Sequence, residues 1–577
     1  GKTEACLSDM CERMAAQPLG TPLILLLPEH MTYKAERALA ARVSRGHGFL
    51  RGYVFGFRRF ARYVLMETGA LSVTRISEVG RRILLRQILS RHAKKKDLAV
   101  FGRAVRQRGF TESLSAIIKE CKSYRITSGV LRDTAESLSG QEKLAGKLRD
   151  MALLSEEFDA AMAGKATDSE DMMEALAGVL PRAAIMKGAE VWLDGFLFFN
   201  PQEMEVLREI LATASSVHIA LPMAGVLDAQ GKVFLRLPEN EQEAGLFHRS
   251  YCTYQSVLAM AHKEFGACRT ILVRLLGQAR RYAKGTALPA LEQKLFRLGA
   301  EPIAEKAGVC LAEMANRRIE VECVAADILR LVRESGWRYR DIGVLVRDHD
   351  AYDGLIPLVF EEYGIAFFAD SKRPSMHHPL AELMRSALDV VTKNWSYETV
   401  FRYLRAGFSP LVREDVDRLE NYVLEFGIRG RKHWQQEEAW SWHRRFSLEG
   451  EDRVDDARAE ALAQIDGMRR QAAEALCAFE HAIRTGCDGR TRNVRCITEA
   501  LYALLISLGV PERLDEWTEQ AEADGRLADA AENRQVWANT IELFDQLVEI
   551  SGDEGITLAD YGALLADGID ALEIALI

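Results

Sequence analysis

The stretch GKTEACLSDMCERMAAQPLGTPLILLLPEHMT, residues 1–32, joins one helix to one strand, and its reading decides the fold class. Leu7, Met10, Cys11 and Met14 recur at the spacing of a single helix face, so residues 2–16 are expected to form an amphipathic helix. Pro22 then opens the aliphatic run 23–27, which predicts a short strand buried in a parallel sheet. Residues 28–32 are expected to be a loop at the carboxyl end of that strand, where open α/β sheets place ligands. Gly1, Lys2 and Thr3 at the helix start match the tail of the phosphate-holding pattern GxxxxGK[ST]. In that pattern loop amides and the helix N-terminus hold phosphates, the lysine reaches the terminal ones and the threonine hydroxyl binds magnesium. The glycine-rich part of the pattern would precede Gly1, and an apolar run closes the sequence at Ile577. The chain is therefore expected to be a fragment of a longer one.

Working outward, residues 54–60 combine strand propensity with aromatics and arginines, and residues 76–180 read almost wholly as helix. A second strand signal at 189–196 ends in Asp194 and Gly195, with a helix from about Pro201 and a strand at 217–221. Val321, Val324, Ala325, Ile328, Leu331 and Val332 mark a long helix, and residues 341–347 read as a strand ending in Arg347. Beyond about 380 the pattern is mostly helical. The expected architecture is α/β with two parallel-sheet cores, each interrupted by a large helical insertion. The first core takes residues 1–65 and 185–300, its insertion 66–184, the second core 301–384 and its insertion 385–577.

The 577 residues are 48% hydrophobic and 28% charged, so nothing in the composition argues for disorder. The longest aliphatic run is far too short to cross a bilayer, and no signal-peptide pattern opens the chain, so a membrane or secreted protein is not expected. Ten scattered cysteines without a CxxC pair suggest reduced thiols in the cytoplasm and no zinc or iron–sulfur framework in this stretch. The net charge of −9 is unevenly spread. Residues 42–125 carry 20 Lys/Arg against 5 Asp/Glu, whereas residues 511–577 carry 3 against 17. A basic segment with interleaved aromatics inside an acidic protein reads as a footprint for nucleic acid; the plainer reading is a set of solvated helix faces.

The order core, helices, core, helices, opening on a phosphate loop, resembles the UvrD-like superfamily 1 helicases with two RecA-like cores. Specific words narrow the resemblance: PEHMTYKAE at 28–36, VFGFRRFARYVL at 54–65, VWLDGFLFFNPQE at 191–203, NRRIEVECVAADI at 316–328 and YRDIGVLVRD at 339–348. FFADSKR with HPL at 367–380, LENYVLEFGIRG at 419–430 and NRQVW at 533–537 complete the set. Together they are similar to the B-subunit family of AddAB-type ATP-dependent helicase–deoxyribonucleases. The word at 28 reads PEH where that family usually reads PEQ, and Arg62 stands where an aromatic is common.

The resemblance implies a scaffold and DNA-recognition subunit, in heterodimer with an A-type helicase–nuclease subunit, in a complex that resects double-strand breaks. It implies ATP and Mg2+ at Gly1, Lys2, Thr3, Asp194 and Arg347, with Thr3 and Asp194 as the magnesium ligands. Active relatives carry Glu where this chain has Gly195, so binding without efficient hydrolysis is expected, with no catalytic residue in this fragment. Thr32, Phe57, Arg58, Arg59, Phe60 and Phe199 are expected on three strand-end loops facing single-stranded DNA, where the inactivated core would scan for the hotspot Chi. For each phenylalanine taken singly, core packing is the commoner role. A C-terminal nuclease domain with an iron–sulfur cluster is implied outside these residues. Two other readings stay open, a working helicase motor and a non-enzymatic interaction protein of helicase shape.

Overall fold

The computed structural model describes residues 2–575 except 44–48, 71–73, 106, 108, 164–165, 168–170, 223–225, 228–232, 235–245, 267–281, 283–284, 295–300, 305–306, 370–371, 375–376, 443–455 and 486–491. The chain is helix-rich with one four-stranded parallel sheet. By contact it divides into two units. The first comprises Gly1–Arg75, Ile118–Leu131 and Ala160–Glu320, and the second Ile76–Ile117, Arg132–Asp159 and Val321–Ile577.

In the first unit helix α1 (Lys2–Ala16) turns its Cys6, Leu7, Met10 and Met14 inward, as the periodicity predicts. Strand β1 (Leu23–Leu26) is buried at every position and is followed at once by helix α2 (Glu29–Val43). The expected loop at 28–32 is therefore mostly the first turn of a helix, because Glu29 is a good first-turn residue and Pro28 precedes it without needing an amide partner. Strand β2 (Gly52–Phe55) ends one residue before helix α3 (Phe57–Glu67), so the aromatic and arginine-rich stretch 57–60 is helical, not extended. Strand β3 (Glu190–Asp194), helix α4 (Pro201–Thr213) and strand β4 (Ser216–Ala220) follow. The strand order is β2-β1-β3-β4, all pairs parallel, with Leu26 opposite Phe55 on one side and Leu193 on the other.

Both faces of the sheet are covered, as a parallel sheet requires. On one face Ile24, Leu26, Val191 and Leu193 pack with Phe57, Phe60 and Val64 of α3 and Val206 and Ile210 of α4. On the other, Leu23, Leu25 and Trp192 pack with Met10 and Met14 of α1 and Leu39 of α2. Polar contacts fix α1 against β3: Asp9 accepts from Trp192 Nε1 at 3.1 Å and from Arg13 Nε at 3.0 Å, Arg13 also pairs with Glu190, and its guanidinium lies 5.4 Å from the Trp192 ring centroid. His218 of β4 stacks on the same ring at 4.8 Å. Burial holds its imidazole below the ordinary histidine value.

The second unit is helical around one large core. The helix Glu78–Lys95 contributes Val79 and Ile83 to the cluster that holds Leu380, Trp395, Trp434, Trp440, Leu543 and Tyr561. Its basic side chains meet the acidic end of the sequence: Arg86 Nε lies 3.6 Å from Asp567, Lys94 Nζ 3.4 Å from Asp560 and Arg91 3.7 Å from Glu554. The charge excess of 42–125 is thus partly neutralised by protein acid from 511–577, which weakens it as a footprint for nucleic acid.

Residues 341–347 correct the sequence expectation. Tyr339–Asp341 form a 3-10 turn, and residues 342–346 belong to no helix or strand among the described residues. Leu345 is 99% exposed, and Arg347 is also exposed. Strand propensity alone does not make a strand; neighbours must supply the hydrogen bonds.

Candidate nucleotide and DNA-binding edge

All four parallel strands run their carboxyl ends to one edge, and the segments leaving β1, β2 and β3 touch. Lys2 and Thr3 open α1, and the Thr3 hydroxyl donates to Asp194 Oδ2 at 2.5 Å. Asp194 is the last residue of β3 and is 1% exposed. The pair unites the two expected magnesium ligands across 191 positions of sequence, and a hydroxyl beside a carboxylate is the oxygen donor set that a hard divalent cation takes. Burial, with the Asp194 charge second, pushes the neighbouring Cys6 thiol up to about 11, so it stays protonated at neutral pH. Gly1 lies outside the described residues. Lys2 is half-buried at the same helix end.

Asp194 is followed by Gly195 at φ +85°, a left-handed conformation that glycine adopts without a Cβ penalty. The segment then reads Phe196, Leu197, Phe198, Phe199, with Asn200 capping α4 through reciprocal bonds with Glu203. The Phe57, Phe196 and Phe199 rings cluster, with centroids 5.4 Å (57 to 196), 6.2 Å (57 to 199) and 5.1 Å (196 to 199) apart. At the start of α3 the Glu29 carboxylate accepts the Arg58 amide at 3.1 Å. It fits there because a Cβ on Gly56 would fall about 2.1 Å from it.

The structure separates the residues proposed for DNA into two groups. Thr32 is 4% exposed and its hydroxyl bonds back to the Glu29 carbonyl at 2.9 Å, which occupies it within the first turn of α2. Phe57, Phe60 and Phe199 are 6%, 0% and 8% exposed, so their rings fill the core beneath the edge and present no face to a base. Arg58 and Arg59 are exposed on α3, next to exposed Arg62 and Tyr63. The aromatic that reaches solvent after β3 is Phe198, 46% exposed, with the Arg249 guanidinium 5.6 Å from its centroid. Sequence reasoning passed over Phe198; the alternation after a strand end, one ring in and the next out, is the signal that would have found it. Arg347 belongs to the second unit.

A helix start and an acidic strand end joined by a hydroxyl–carboxylate bond, on a small parallel sheet, make this a helix-rich α/β protein. The chain belongs to the family described as ADDB, N-terminal, whose model matches residues 1–292. Over its whole length it is 40% identical to the B subunit of the ATP-dependent helicase/deoxyribonuclease of Heliobacterium modesticaldum, 38% to that of Desulforudis audaxviator and 40% to that of Pelotomaculum thermopropionicum. It spans 46%, 49% and 48% of those proteins, about half their length.

Proposed function

We propose that this chain is part of a DNA-recognition and scaffold subunit of an ATP-dependent helicase–nuclease that resects double-strand breaks, acting in the cytoplasm beside a catalytic A-type partner. The observation that carries this reading is the Thr3–Asp194 pair followed by Gly195: a hydroxyl–carboxylate pair of the kind magnesium takes, with glycine where active relatives carry a water-orienting carboxylate. Thr3 and Asp194 would hold magnesium and Lys2 would reach the phosphates. When bound, the metal would neutralise phosphate charge. Arg347 belongs to this reading as a nucleotide-binding residue of a second RecA-like core.

Support for that second core is the chain order in residues 309–368. Apolar pieces containing Val309 and Leu311, then Val344 to Val346, then Phe367 and Phe368, alternate with the helices Arg317–Ser335 and Leu355–Glu362, which pack through Val321, Ala325, Val359 and Phe360. Exposed apolar segments between packed helices are what strands of a parallel sheet look like without their neighbours. The domain limits 1–65 with 185–300, 66–184, 301–384 and 385–577 belong to this reading, as does an iron–sulfur cluster in a nuclease domain of the full-length protein.

Single-stranded DNA would cross the strand-end edge, its phosphates on Arg58 and Arg59 and a base against Phe198, scanned for Chi. A working motor is disfavoured by Gly195, and a purely structural role by the exposed arginines at this edge. The test uses the full two-subunit complex. Arg59→Ala and Phe198→Ala are expected to abolish the response to the hotspot while general DNA binding falls less than about tenfold. If both variants respond normally, the reading surface lies elsewhere.

A further inference from the structure

We infer that the missing water-activating carboxylate cannot be restored by a single substitution, because Pro28 and Met31 hold the space in which a side chain at 195 would begin. The inference rests on the non-hydrolysing reading above and deepens it. A Cβ built on Gly195 would lie 2.9 Å from Met31 Sδ, 3.0 Å from Pro28 Cδ and 3.4 Å from Pro28 Cγ. At 2.9 Å the Met31 sulfur would have to shift, whereas the Pro28 ring, in tight contact at 3.0 Å, would have to give by a few tenths of an ångström. The methionine end is flexible and can move; the proline ring is rigid and follows directly on β1.

Nor is the pair loosely placed. The Met31 amide bonds to the Pro28 carbonyl at 2.9 Å, closing the first turn of α2 over the edge. Gly195 itself is at φ +85°, where any L side chain is strained whatever the space around it. Asp194, one residue before, is anchored by Thr3 at 2.5 Å, so the backbone has little freedom to turn 195 the other way. Three independent obstacles therefore stand where a working hydrolase places its carboxylate: the left-handed backbone, the proline ring and the thioether. Inactivity belongs to the packing of the α2 start against the end of β3.

The experiment uses the full-length chain with MgATP and single-stranded DNA, reading steady-state turnover and thermal melting for Gly195→Glu, Gly195→Ala, Met31→Ala and Gly195→Ala with Met31→Ala. Gly195→Glu is expected not to restore turnover and to lower the melting temperature; a rise in turnover of tenfold or more would overturn the inference. Should Gly195→Glu fail to fold, the alanine cycle decides. Gly195→Ala is expected to melt lower than wild type, and Met31→Ala to recover part of that loss in the double variant. A Gly195→Ala chain that melts like wild type, or a cycle with no coupling, would also overturn it. The underlying reading fails separately, on wild-type turnover alone.

Discussion

Glu29 sets a carboxylate among the groups that would meet DNA, since it accepts the amide of exposed Arg58 at the start of α3. Glu29→Gln removes that charge with little change of shape. Single-stranded DNA is expected to bind severalfold more tightly at low salt, the gain fading as salt screens the interaction. Anisotropy titrations at several salt concentrations check this, and weaker binding would show that Glu29 holds the arginines in their working positions. The buried rings behave differently. Phe60→Ala, with 0% exposure in the wild type, is expected to cost about 3–5 kcal/mol of unfolding free energy, measured by chemical denaturation. Sequence pointed to Thr3 and Asp194 together because a motif tail and an acidic strand end each name a residue type, and the two side chains meet. It could not say which of Phe198 and Phe199 faces out, because that depends on where β3 ends and how Gly195 turns.

Elements show the same division. Helix α1 and strand β1 were legible from periodicity and an aliphatic run, whereas the start of α2 was not, because Pro28 reads equally as a loop and as a helix entrance. Among the helices of the second unit, His378 caps Pro379–Thr392: its Nδ1 accepts the Leu380 amide at 3.1 Å, so Nε2 carries the proton toward Asn533 Oδ1 at 3.2 Å. The contact joins the HPL and NRQVW words. Burial holds this imidazole below the ordinary value of 6.5. The folded state therefore takes up its proton later than the unfolded state, and stability present above pH 6.5 is lost as the pH falls through the folded value. His378→Asn keeps an oxygen for the cap and is expected to flatten the loss of melting temperature between pH 7.5 and about pH 5. An unchanged pH profile would assign that loss to other groups. The helix Glu78–Lys95 offers a second comparison. Arg86 donates to the Val105 carbonyl at 2.8 Å and neighbours Asp567, so Arg86→Met is expected to cost about 2–4 kcal/mol, against about 0.5 kcal/mol or less for exposed Lys94→Ala. Equal costs in denaturant melts would contradict this ranking.

At the scale of the whole molecule, the charge asymmetry visible in the sequence acquires a different meaning once basic Glu78–Lys95 is seen against Glu554, Asp560 and Asp567. Sequence counts charges but not their partners, and pairs 460 or more positions apart carry no local pattern. The strand-end edge of the first unit brings Thr3 to Asp194, whereas residues 342–346 form no strand among the described residues, because strand pairing is a property of neighbours. The central claim, a nucleotide edge that holds MgATP without turning it over, is tested most directly by DNA-stimulated ATP hydrolysis of the full-length chain alone, with MgATP binding measured on the same sample. The expected result is binding that Lys2→Ala weakens, with turnover far below about one per second. Turnover on the order of tens per second, abolished by Lys2→Ala, would contradict it.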